Sequence, residues 1–177
     1  RGKEPGLEFL GDVPLFVYPM DKGKTYVEVN FNAGGSGAGD GGRGISHVLE
    51  HVMARHTISH FGSFSNATVR HRDMEFRTYV PVTDLQREAR LVPRLKDFIC
   101  FDASHFDVMR RRAENEMGPS FFGPVLSELF GIPSPGGDAP TIGQVSRDEV
   151  ARRAEELPGY FDSAKVIGPR AAEASLH

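Results

Sequence analysis

The stretch GISHVLEHVMARHT, residues 44–57, constrains the fold more than any other part of the chain. At about 100° per residue, His47, Glu50, His51 and Ala54 share one side of a helix, and Ile45, Val48, Leu49, Val52 and Met53 take the other. Such a segment packs its apolar side on a core and gathers two imidazoles and a carboxylate on the opposite side. Imidazoles one turn apart can both aim a nitrogen at one cation, and a carboxylate between them can take a proton from water. The alternative at this point is a solvated face whose histidines bond locally.

The core for that helix comes from strands. KTYVEVNFNA alternates, with Val27, Val29 and Phe31 on one face and Tyr26, Glu28 and Asn30 on the other. LEFLGDVPLFVYP before it predicts one or two short strands, and GSFSNATV and MEFRTYVPV predict two more. Apolar spacing predicts a helix from Asp84 to about Phe101, broken near Pro93. A second runs from about Ser104 to Met117 with Gly118 as its cap, and FFGPVLSELFG is a third or a pair of turns. PSPGGDAPTIG reads as a loop, SRDE as a capping box opening a helix to about Leu157, and AKVIG as a closing strand. The sum is an α+β fold, a largely antiparallel sheet packed with helices. The loop AGGSGAGDGGRG lacks the Lys-Ser/Thr ending of a phosphate cradle and reads as a flexible connector.

With 39% hydrophobic and 25% charged residues, 177 residues suit a single domain, 1–177, with the stretch after about 169 read as a tail. A net charge of -3 gives no basic footprint for nucleic acid. Cys100, the one cysteine, forms no internal disulfide and reads as a small core residue. The expected setting is therefore reducing, the cytoplasm, or an organelle if a leader has been removed. No apolar run approaches the roughly 20 residues that cross a bilayer, so no membrane partner is expected.

His47-x-x-Glu50-His51 has the order of the inverted zinc-peptidase motif, which calls for a third ligand. Glu114 and Glu116 lie on one predicted helix, about 200° apart around its axis. Glu114 falls beside Asp107, Arg110 and Arg111, and solvent with Arg110 accounts for it. Glu116 falls on the apolar stripe of Phe106, Met109 and Ala113, where a carboxylate needs a partner, either a metal or an arginine. His47, His51 and Glu116 would leave a fourth tetrahedral position for water. His56, His60, His71 and His105 are isolated and read as surface or loop residues.

VNFNAGG with GISHVLEHVMARHT, GSFSNATVRHRDMEFRTYVP, RRRAENEMG and SPGGDAPTIGQVSRDEVARRAEELPGYFDSAKVIG follow one another in an order that resembles the pitrilysin/insulinase family of zinc metallopeptidases, which includes the mitochondrial processing peptidases. The resemblance implies Zn2+ on His47, His51 and Glu116, Glu50 as general base, and an extended peptide bonded by Ser65, Asn66 and Ala67 on a sheet edge. From its residue type alone, Asn66 is equally a turn or strand-end residue. The chain departs from the family pattern in three places. Only ISHF stands between the zinc helix and the strand carrying Asn66, where the family has a helix. Met109 stands where the family often has a supporting glutamate seven residues before the distal ligand. One zinc-bearing half is present, where family peptidases pair two around a chamber.

The resemblance thus implies a zinc-dependent endopeptidase subunit that cleaves peptides or small unfolded proteins, such as leader or precursor peptides. It would work with a second related subunit, a heteromer ahead of a homodimer. The alternative is a non-catalytic scaffold or binding subunit of peptidase ancestry. A third reading keeps zinc and acts on a non-peptide amide or ester.

Overall fold

The structure is a computed structural model that describes residues 5–10, 13–20, 25–35, 40, 43–61, 64–80, 101–117, 129, 131 and 134–168. The strands are β1 (Gly6–Leu10), β2 (Val13–Pro19), β3 (Thr25–Phe31), β4 (Phe64–Val69), β5 (Met74–Val80) and β6 (Phe161–Gly168). The helices are α1 (Ile45–Phe61), α2 (Phe106–Glu116), α3 (Ala139–Gln144) and α4 (Arg147–Glu156). The strands form one sheet in the order β1-β2-β6-β3-β5-β4. Every pairing is antiparallel except β2 with β6, so the fold is α+β with a mixed, largely antiparallel sheet.

The alternation in β3 decides which face is covered. Val27, Val29 and Phe31 are buried with Leu15, Val17, Met74, Phe76, Ala164 and Val166 from the flanking strands. Ile45, Val48, Leu49, Val52 and Met53 of α1 complete this core with Phe106, Met109 and Ala113 of α2 and Val150 and Ala154 of α4. The two sides read for α1 are therefore those it uses. On the opposite sheet face Glu28 accepts from Tyr26 at 2.5 Å and pairs with Lys165 at 2.9 Å, and Glu75 pairs with Arg70 and Arg77.

Three boundaries differ from those expected. Helix α1 continues to Phe61, so ISHF is its last turn rather than a link. Residues 139–144, expected within a loop, form α3, because Asp138 and Thr141 make a capping box around Pro140 in the first turn. The closing strand begins at Phe161 and lies between β2 and β3. The SRDE capping box is present at the start of α4. The predicted helices over 84–101 and 121–131, apart from Phe101, Leu129 and Gly131, and also Cys100 and Gly118, lie outside the described residues.

Candidate metal centre

Two buried groups fix where α1 starts. Asp40, 1% exposed, accepts from the N–H groups of Gly44, Ile45 and Ser46 at 2.9, 3.2 and 2.6 Å, which would otherwise be orphan donors of the first turn. The glycine-rich stretch read as a connector thus holds the cap of the histidine helix. Arg153 of α4, also buried, donates to Ala33 O and Ser46 Oγ and ties the same turn to the end of β3. Gly44 has φ +83° and Gly137 φ +79°, and a Cβ on Gly137 would stand 2.8 Å from Gly44 N. Only glycines allow this backbone-on-backbone crossing, which brings Gly136 O to 3.2 Å from His47 Nδ1.

That contact sets the histidine. A carbonyl only accepts, so Nδ1 carries the hydrogen and Nε2 is the ring nitrogen turned the other way. His47 Nε2 lies 3.2 Å from His51 Nε2, and Glu116 Oε2 lies 3.1 Å from the latter and 3.8 Å from the former. Ligand atoms 2.0 to 2.1 Å from a tetrahedral zinc stand about 3.3 to 3.4 Å apart, so two edges of this triangle already suit one ion and the third is slightly long. Protonation suits it too. Burial lowers the His51 pKa, as does the neighbouring His47, against the pull of Glu116. Partial burial pushes Glu116 up, but His51 and the hydrogen bond from Arg112 outweigh it and hold the carboxyl below its usual range. A neutral imidazole beside an ionised carboxylate is the state that ligates.

Glu116 reaches this position from the stripe of α2 that carries the buried Phe106, Met109 and Ala113, yet its own side chain is 47% exposed. The expected desolvated carboxylate is therefore a rim carboxylate, facing the histidines through Oε2 and Arg112 Nε at 3.2 Å through Oε1. Glu114 lies beside Gly143, and Arg110, its expected partner, instead meets Asp107 and Gly143 O.

Glu50 stands outside the three-donor cluster. Its Oε2 accepts from Val69 N–H at 3.2 Å, which hangs it from β4. Burial pushes its pKa up to about 7; the Val69 bond opposes this, Glu116 adds to it and Arg77 opposes it. Glu50 lines two clefts, one on each side of the cluster. The larger, ≈ 290 Å³, is bordered by His47, Val69, Met117 and the loop Ser134–Gly136, and the smaller, ≈ 180 Å³, by His51, Arg55, Asn66, Met109 and Arg112.

Ser65, Asn66 and Ala67 lie on β4, which among the described residues pairs only with β5 and forms one edge of the sheet. Ala67 N–H bonds to Asn66 Oδ1 at 3.0 Å, so Asn66 covers its own strand edge while its side chain faces the smaller cleft. Asp40, Arg55, Arg112 and Gly136 escape sequence reading. Only Arg112, four residues before Glu116, carries a local signal for its role.

At the level of sequence, no family model and no curated protein matches the chain. Solved structures do match its fold. The periplasmic protease PqqL from Escherichia coli superposes with a TM-score of 0.74 at 14% identity, over 98% of this chain and 24% of that one. Pitrilysin superposes at 0.71 and 15% identity, over 98% and 22%. A peptidase M16 inactive domain from Pseudomonas fluorescens superposes at 0.68 and 11% identity, over 97% and 50%. The chain spans from about a quarter to half the length of these structures, and its fold is that of a pitrilysin-like M16 peptidase half-domain.

Proposed function

We propose that the chain is a zinc-dependent endopeptidase subunit acting on peptides or small unfolded proteins, with Zn2+ held by His47, His51 and Glu116. The observation that carries this is the convergence of two Nε2 atoms and one carboxylate oxygen within 4.8 Å of one another, beside a buried carboxylate outside the set. Zinc in that cluster supplies a Lewis acid and lowers the pKa of water.

The chain's own residues do the rest. Gly136 O holds His47 in the ligating tautomer, and Arg112 holds the carboxylate of Glu116. Glu50, with a pKa near neutrality, takes the proton of the attacking water and returns it to the leaving amine. A peptide added to the edge strand β4 would lie across Glu50, bonded by Ser65, Asn66 and Ala67 once the Asn66 side chain releases Ala67 N–H.

A second related subunit supplies the other wall of the site. The exposed apolar Leu7, Phe16 and Tyr18 support it. Leu7 and Phe16 sit opposite each other in the β1–β2 register on the sheet face that carries no described helix.

The test is zinc content by plasma mass spectrometry, with peptide cleavage assayed on the same samples. Wild type and Glu50→Gln should hold one zinc per chain, Glu116→Gln should lose it, and Glu50→Gln should cut cleavage by about 10²–10⁴-fold. A wild-type chain that takes up no zinc from zinc-containing buffer ends the peptidase reading and leaves the scaffold.

A further inference from the structure

The two clefts that meet at Glu50 differ in charge. The larger one, walled by His47, Ala67, Thr68, Val69, Met117 and the 134–136 loop, holds no Lys or Arg side chain. The smaller brings two guanidinium groups, Arg55 from α1 and Arg112 from α2, onto a floor of Ala54 and Met109. Arg112 Nε is engaged with Glu116, whereas Arg55, exposed and one turn beyond His51, has no hydrogen bond or ion pair among the described residues. Asn66 adds a third donor, since its Oδ1 accepts Ala67 N–H and its NH2 group is turned elsewhere. The two carboxylates in the same cleft are already engaged, Glu50 with Val69 N–H and Glu116 with His51 and Arg112. At ≈ 180 Å³ the cleft has room for a side chain, where a single water needs only about 10–15 Å³.

We infer that this cleft reads a carboxylate on the substrate, with Arg55 as the recognising residue and Arg112 beside it. The inference rests on the peptidase reading and adds a specificity to it. Its direction follows from the strand. Asn66 borders the smaller cleft, and Ala67, Thr68 and Val69 border the larger. A peptide added antiparallel to β4 runs from the Val69 end toward Asn66, which puts the residues after the scissile bond in the cationic cleft. The carboxylate is then either an Asp or Glu side chain following the bond or the free terminus of a short peptide, and both present the same planar pair of oxygens to guanidinium.

The test uses the full chain carrying Glu50→Gln, zinc-loaded, in low salt, with fluorescein-labelled decapeptides read by anisotropy. One peptide alternates Ala and Glu, its partner Ala and Gln, and each is made with a free and an amidated C-terminus. The Glu peptide should bind at least about tenfold tighter than its Gln partner, the yield of one charge-assisted contact. Arg55→Gln should bring the ratio close to one, while Arg152→Gln on the exposed side of α4 leaves it unchanged. If only the free-acid forms respond to Arg55, the terminal carboxylate is the one read; if the amidated Glu peptide responds, the side chain is.

Equal binding of Glu and Gln peptides in every form, no binding of any, or the same loss from Arg152→Gln as from Arg55→Gln overturns the inference. Cleavage of the same peptides by the zinc-loaded wild type is scored separately. A chain that cleaves without preference defeats the specificity alone, and one that binds selectively but takes up no zinc defeats the peptidase reading alone.

Discussion

Glu50 shows what burial does to a single residue. Its carboxyl, pushed up to about 7 mainly by desolvation, holds a proton in the folded chain that an unfolded chain releases near 4.5. Between those values the folded state binds more protons, so the metal-free protein should lose stability as pH rises from about 4.5 to about 7, by on the order of 3 kcal/mol at most. Urea unfolding in chelator at several pH values should show this slope in the wild type and a flatter one in Glu50→Gln. The residues of this centre divide by how far their signal travels. His47, Glu50 and His51 are legible because a helix repeats every three to four positions, and Glu116 because it falls on the buried face of α2. Its exposure was not legible, because it depends on where α2 ends beside α1. Gly136 was not legible either, because it acts through a carbonyl 89 positions away and any residue type has one.

Among the elements, α1 depends on a carboxylate outside itself. Asp40 precedes the first helical residue by five positions, too far for a capping-box signature, and it satisfies three N–H groups at once. Asp40→Ala should strand those buried donors and cost roughly 2–3 kcal/mol in urea unfolding. The same variant should weaken zinc uptake, because His47 lies in the turn that the cap holds. Helix α3 makes the opposite point. Its capping box, Asp138 with Thr141, is present in the sequence, but six residues with Pro140 and Gly143 among them and Gly136 and Gly137 just before resemble a turn more than a helix. Strands β3 and β5 are legible from alternation and the others as short segments bounded by turn residues, with AKVIG showing only the last part of β6.

For the whole molecule, the order β1-β2-β6-β3-β5-β4 makes β6 the strand that joins two parts of the sheet. Its register binds β2 in parallel on one side and β3 antiparallel on the other. Neighbouring strands in a chain usually pair, so this insertion could not be read from local pattern. A chain ending before Phe161 should lose cooperative unfolding and aggregate, as light scattering during refolding would show, because both β2 and β3 would be left with open edges. Synthesis meets the same gap. At roughly 5–20 residues per second, β2 and β3 wait several seconds or more on the ribosome for the strand that separates them. During that interval they can pair with each other or with another nascent chain, so the sheet that carries the candidate metal centre depends on β2 and β3 staying apart until β6 arrives.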